Sequence, residues 1–189
     1  MVAGPRGVVL LLYLGLLLAI VLTMIPRPSW SADDLEQGLK VAYLYNFTRF
    51  IEWPEATLGE DFVVTVIGDP ALAAALQELE GSDRRAHGSP IRVRAVDDVG
   101  EIGDCQILFV GAAAVSRLPR LLARTDGRPI LLVGDSRGLA RRGIAINFFM
   151  KSDIFGAGRR LRFEINPAAL KDRGLKVSAQ LYDVAEIVR

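Results

Sequence analysis

Three short apolar runs, each ending at a glycine, limit the fold of this chain more than any other feature. They are Phe62–Ile67, Ile107–Val110 and residues 129–133, and their aliphatic and β-branched composition predicts strands buried on both faces. Glycine permits the tight exit of the chain after each strand. Helical segments lie between the runs, and strands that alternate with helices through short connections predict a mostly parallel sheet.

The segments around these strands predict the remaining elements. Asp69 and Pro70 supply an N-cap and a first-turn proline for a helix over residues 71–79. Residues 81–90 indicate a polar loop, 91–96 an edge-like strand, 114–124 a helix and 139–142 a short helical turn. Residues 144–150 and 161–165 indicate two strands joined by a Gly-containing turn. Asn166 and Pro167 open a further helical region, and residues 175–188 indicate a closing helix. We therefore predict a three-layer α/β sandwich, flavodoxin-like or Rossmann-like in outline. Its sheet is mostly parallel, with helices on both faces and a C-terminal antiparallel hairpin at its edge.

A helix is predicted over residues 34–53, because an aspartate can cap its start and Pro54 ends it. It is apolar nearly all round, so it is either sandwiched within the fold or leaves an apolar face for a partner. Tyr45, Arg49 and Trp53 follow at intervals of four residues on one side. We expect these three side chains to remain exposed and to bind a partner, although core packing is the alternative for each aromatic ring.

Two further groups of residues are candidate sites. The strand exits meet at the carboxyl edge of a parallel sheet, where ligands bind in such folds, so we predict a ligand pocket there; helix capping is the alternative role for its aspartates. Polar residues within the last two strands either line a groove for a partner at the sheet edge or pair with each other. The pocket residues are Gly68, Asp69, Gly111, Gly134 and Asp135, and the strand residues are Asn147, Arg162 and Glu164.

The N-terminal segment has the layout of an export signal. Arg6 precedes an apolar run over residues 7–25, and small residues follow at Ser29 and Ser31. Residues 1–31 are therefore a cleaved signal peptide or a retained N-terminal anchor, since the run is close to the ~20 residues that span a bilayer. Residues 32–189 then form a single domain outside the cytoplasm.

Composition excludes several classes of function. Without the two arginines of the leader, 21 basic residues face 22 acidic ones, so nothing favours nucleic-acid binding. The chain has one histidine and one cysteine, which cannot form a transition-metal cluster, and it lacks dinucleotide, Walker and Gly-x-Ser-x-Gly motifs. We therefore expect no metal, no cofactor and no catalysis. His87 is expected in a solvated loop, and Cys105 either in the core or as a bridge to another molecule.

Five segments in order resemble the YfiR family of exported proteins. They span nearly the whole domain, and the set is specific although each piece alone is weak: residues 40–54 (KVAYLYNFTRFIEWP), 133–136 (VGDS), 143–148 (GIAINF), 161–166 (LRFEIN) and 174–181 (GLKVSAQL). The resemblance implies a non-catalytic periplasmic regulator that restrains an inner-membrane diguanylate cyclase by binding its periplasmic sensor domain, and so controls cyclic-di-GMP signalling and biofilm formation. It also implies relief by an outer-membrane-linked partner.

Two other classes of function stay open from the sequence. One is a periplasmic small-molecule receptor that uses the pocket at the strand exits. The other, less favoured, is a hydrolase whose site follows no known motif. Self-association into a homodimer is a further expectation, because apolar helices often pair.

Overall fold

The computed structural model describes residues 31–152 and 158–188. The predicted leader, apart from Ser31, and the turn at residues 153–157 lie outside the described residues. Within the described ranges, no helix is both long enough and apolar enough to cross a membrane.

The described residues form five α-helices and ten strands. The helices are α1 (Ala32–Phe50), α2 (Pro70–Glu80), α3 (Leu118–Arg124), α4 (Pro167–Asp172) and α5 (Ala179–Asp183). The strands are β1 (Ile51–Glu52), β2 (Phe62–Ile67), β3 (Arg85–Ala86), β4 (Ser89–Val96), β5 (Ile107–Val110), β6 (Leu131–Gly134), β7 (Ile146–Ser152), β8 (Arg159–Ile165), β9 (Lys176–Val177) and β10 (Glu186–Ile187). Short 3₁₀ helices occupy Glu55–Thr57, Val99–Glu101, Ala112–Arg117 and Ala140–Arg142.

Eight strands make one sheet in the order β10-β8-β7-β6-β5-β2-β4-β3. The strands at the five central positions, β4, β2, β5, β6 and β7 in spatial order, are parallel to one another. By contrast, β8 is antiparallel to β7, and β3 is antiparallel to β4. This topology confirms the predicted mostly parallel α/β sheet with a β7–β8 hairpin. The three apolar runs are its central strands, and every residue of β2, β5 and β6 is buried.

Helices cover both faces of the sheet. On one face, α1 and α2 pack through buried side chains such as Phe47 and Leu76 into a large core that includes Phe148 and Phe163. On the other face, α3 contributes Leu118 to a smaller core. The predicted layering is therefore confirmed, and it fixes the position of α1 over β7 and β8.

The predicted ends of the chain need correction. The first helix stops at Phe50 rather than at residue 53, because Ile51 and Glu52 pair with Val177 and Lys176 in a separate two-stranded ribbon. Residues 175–188 are likewise not one helix but run β9, α5 and β10 in turn, because β9 pairs with β1 and β10 pairs with β8. The hairpin is also not at the sheet edge, since β10 adds outside β8 and runs parallel to it.

Two other predicted segments differ in detail. The helix expected over residues 114–124 begins as the 3₁₀ helix Ala112–Arg117 and becomes α-helical only in α3. The loop over residues 81–90 contains β3 and reverses at His87 and Gly88, whose φ angles are 50° and 85°. Positive φ at both positions is typical of a two-residue hairpin turn. His87 is exposed, as expected.

Candidate functional site

A buried ion pair ties α1 to the carboxyl edge of the sheet. The Lys40 ammonium lies 2.9 Å from Asp135 Oδ2 and 3.0 Å from Glu36 Oε1, and only 4% of Lys40 is exposed. Burial by itself would lower the pKa of Lys40, but the two carboxylates outweigh burial and raise that pKa above its ordinary value. Sequence reasoning missed Lys40, because a lysine on a helix is usually solvated.

Asp135 therefore has a different role from the cap considered above. No helix begins at Asp135; the next one is the 3₁₀ helix Ala140–Arg142. Asp69, by contrast, does cap α2, since Leu72 N donates to Asp69 Oδ1 over 2.9 Å. Both aspartates follow a strand and a glycine in the sequence, but Asp69 caps a helix whereas Asp135 pairs with Lys40.

Glycines at the carboxyl edge bring chain segments close together. A Cβ atom at Gly68 would lie 2.6 Å from Ala114 N, and one at Gly134 would lie 2.6 Å from Leu139 Cδ1. At Gly111 a Cβ would meet the Gly68 carbonyl and Asp69. The chain's own atoms thus fill the space beside these glycines. The ligand pocket predicted at this edge stays a prediction.

Asn147 and Glu164 pair with each other across the hairpin. They are register partners in β7 and β8, and Asn147 Nδ2 donates to Glu164 Oε1 over 2.9 Å. Asn147 is 1% exposed, so its side chain does not reach the surface. Arg162 is exposed on β8, with Nη2 3.5 Å from the Val184 carbonyl.

The expectation that Trp53 remains outside is wrong. Trp53 is 5% exposed and packs edge-on against Phe62 with ring centroids 5.2 Å apart. Its indole N–H donates to the Gln106 carbonyl over 3.1 Å. The reason is the early end of α1: Trp53 follows the two-residue strand β1 instead of continuing the helix, and it joins the same core as Phe47.

The other two members of that group keep contact with solvent. Tyr45 is half-buried, and the Arg84 guanidinium lies 5.1 Å from its ring centroid. Arg49 is exposed. Both side chains therefore lie on or beside a surface that a partner can reach.

The outer face of α1 carries two exposed leucines. Leu35 is 59% exposed and Leu39 is 41% exposed. They begin a stripe of exposed side chains with the period of one helix face: Leu35, Leu39, Ala42, Asn46 and Arg49. We call these five residues the outer face of α1. Among the described residues, the other large exposed apolar side chains are Val184 and Ile187, beside or on β10.

Three surface cavities lie away from the predicted pocket. One of about 720 Å³ lies at the amino ends of β2, β5 and β6. A second, of about 540 Å³, is lined by Trp53, His87 and Lys176, and a third, of about 250 Å³, lies beside α4. None of the three is lined by Gly68, Gly111 or Gly134.

The described part of the chain offers neither a cluster of metal ligands nor a reactive thiol. No group of three His, Cys, Asp or Glu side chains within it could hold a metal ion. Cys105 is 6% exposed in the smaller core, and burial raises the pKa of its thiol. An unreactive, protonated thiol agrees with the expected core position.

Comparison with known proteins gives a family and a fold. A family model described as YfiR/HmsC-like matches residues 37–186. The chain is also similar to the crystal structure of a conserved domain protein from Vibrio cholerae O1 biovar El Tor, with a TM-score of 0.53 and 11% sequence identity. The similarity covers 81% of this chain but 60% of that one, and at this identity it supports the fold alone. No curated protein matches the sequence.

Proposed function

The chain belongs to the YfiR/HmsC-like family, and we propose that it is an exported, non-catalytic binding protein that restrains an inner-membrane diguanylate cyclase from the periplasm. The observation that carries the proposal is the extent of the family match, which covers residues 37–186 and so nearly every described element. Membership of this family supports the general role of a periplasmic regulator of a diguanylate cyclase. Docking on the sensor domain of the cyclase is the specific action proposed for this chain.

The outer face of α1 is the proposed docking surface. Leu35 and Leu39 expose apolar area that a partner can bury, and Arg49 offers a planar cation at the far end of the same stripe. The Lys40–Asp135 pair holds this helix on the sheet from its inner side. A partner would therefore meet a rigid helix, which lowers the entropic cost of binding.

Some residues expected at the partner interface take a supporting place in this proposal. Tyr45 borders the outer face of α1 and stays a proposed contact, as does Arg162 on the separate surface near Val184. Asn147 and Glu164 hold β7 to β8, and Trp53 stabilises the core. We propose no direct partner contact for these last three.

The test uses a double variant of the outer face. Leu35→Ser with Leu39→Ser should abolish co-purification of the full chain with the cyclase from solubilised membranes, and cellular cyclic-di-GMP should rise to the level of a strain without the chain. The control is Ala71→Ser with Ala74→Ser, which changes exposed apolar side chains on α2, where no partner contact is proposed. Full co-purification of the leucine variant would overturn the docking surface. Unchanged cyclic-di-GMP after deletion of the chain would overturn the function.

Two further expectations belong to the same proposal. An outer-membrane-linked partner should relieve the restraint by competing for the chain. A pull-down from outer-membrane extract, with and without the cyclase domain, would test this.

Self-association of the chain is expected through its apolar helix surface, and light scattering on the purified full chain measures it directly.

A further inference from the structure

We infer that the cavity at the amino ends of β2, β5 and β6 binds a small organic anion, with Arg94 and Arg128 holding its charged group. This inference is independent of the proposed regulatory function. The cavity lies at the amino ends of the strands, whereas the pocket that the sequence predicts lies at their carboxyl ends.

The cavity has the size and floor of a small-molecule site. Its volume is about 720 Å³, within the range of roughly 300–1,000 Å³ that is usual for ligand pockets. Val63, Cys105 and Ile130 line it, and they are 8%, 6% and 2% exposed. These three side chains belong to the smaller core, so the floor is apolar and well packed.

Gln106 makes the wall of the cavity rigid. Its side-chain oxygen accepts from Val63 N over 2.7 Å, and its side-chain nitrogen donates to the Thr57 carbonyl over 2.6 Å. Its backbone carbonyl accepts from the Trp53 indole and from Leu131 N. Its backbone N–H also donates to the Val63 carbonyl over 2.9 Å. Five hydrogen bonds therefore tie Gln106, which precedes β5, to Trp53, the Glu55–Thr57 3₁₀ helix, β2 and β6, and the cavity is preformed.

The guanidinium groups of Arg94 and Arg128 line the cavity, and both approach Gly103. Arg128 Nη2 donates to the Gly103 carbonyl over 2.8 Å and to Asp104 Oδ1 over 2.7 Å. Arg94 approaches from β4, and its Nη1 lies 3.5 Å from the position that a Cβ of Gly103 would take. Planar guanidinium groups recognise carboxylate and phosphate by paired hydrogen bonds.

The charges of the rim leave Arg94 available. Asp104 is paired with Arg128, and Asp61 is paired with Arg92. Within the described ranges no ion pair involves Arg94. Glu60 is exposed at the mouth, where solvent screens its charge. Arg94 is exposed, and an anion with an apolar body would pair with it and cover the apolar floor at the same time.

Calorimetric titration of the full chain at low ionic strength tests the inference. The probes are phenyl phosphate, benzoate and, as an uncharged control, benzyl alcohol. We expect at least one anion to bind and benzyl alcohol not to bind; the anion that binds more tightly distinguishes a phosphate from a carboxylate ligand. Arg94→Ala should weaken binding by about tenfold or more, and Arg128→Lys should weaken it by a smaller factor because the charge remains.

Arg137→Ala is the matched control, because Arg137 is exposed in the loop after β6, at the other edge of the sheet. It should bind the anion as tightly as the unmodified chain. Failure of both anions to bind would overturn the inference. So would equal affinities of the Arg94→Ala variant and the unmodified chain. Neither result would bear on the cyclase, whose restraint is measured by cyclic-di-GMP.

Discussion

Lys40 and Asp135, 95 residues apart in the chain, share a 2.9 Å hydrogen bond between Nζ and Oδ2 that fastens the first helix to the carboxyl end of β6. The side chains are 6% and 12% exposed, so solvent screens the pair little. This contact sets the position of the helix that carries the proposed docking surface.

Replacing Lys40 with Met should lower the free energy of unfolding by about 3 kcal/mol, because Asp135 is left charged and nearly buried without its partner. Adding Asp135→Leu should recover part of that loss, since no unpaired charge then remains. Urea denaturation of the two single variants and the double variant measures the coupling. The surface pair Lys151–Glu186 is the control, with an expected coupling of about 0 to 1 kcal/mol. Equal couplings for the two pairs would contradict this prediction.

The same pair predicts a loss of stability on the alkaline side. The pKa of Lys40 in the folded chain lies above its ordinary value of 10.5, so folding is favoured by the protonated form. That contribution is complete below about pH 10.5 and disappears as the pH rises through the higher, folded-state pKa. Thermal unfolding followed between pH 9 and 12 should therefore show a steeper decline for the unmodified chain than for Lys40→Met. Parallel declines would contradict the prediction.

Replacing Trp53 with Ala should cost about 3–5 kcal/mol, because the indole fills core space against Phe62 and loses its hydrogen bond to Gln106. Trp53→Phe keeps most of the ring and should cost less. Chemical denaturation ranks the variants. If Trp53→Ala unfolds at the same denaturant concentration as the unmodified chain, the burial described here is wrong.

Gly111→Ala should destabilise the fold by about 1–3 kcal/mol, because the added Cβ would lie 2.7 Å from Asp69 Cβ and even closer to the Gly68 carbonyl. Gly59→Ala is the matched control, since no atom lies within 4 Å of its added Cβ. That control should leave the melting temperature unchanged or slightly raised. An unchanged melting temperature for Gly111→Ala would show that this edge has room for a ligand after all.

The central part of the fold could be predicted because its signals are local. Phe62–Ile67 and Ile107–Val110 are continuous apolar runs, and Asp69 with Pro70 marks a helix start without reference to the rest of the chain. Each pattern reflects burial or capping that its own residues determine. Those predictions matched the structure to within a residue or two.

The remainder depends on contacts between distant parts of the chain. The pairing of Ile51 with Val177 ends the first helix early, and the amino-acid types at residues 51–53 do not predict this pairing. Asp135 finds Lys40 only after folding, so its role looked like that of Asp69. The exposed stripe from Leu35 to Arg49 did have a visible signal, its helical spacing. It was obscured because α1 is apolar on several faces.

The two-residue ribbon of β1 and β9 has a consequence for the order in which the molecule assembles. The opening helix packs against the β7–β8 hairpin, and β1, which follows the helix, pairs with β9. Both partners are synthesised about a hundred residues or more after the helix. A nascent polypeptide cannot complete this architecture until almost its entire length has been delivered. Such late closure would suit the export that we propose, in which the polypeptide crosses the membrane before it folds.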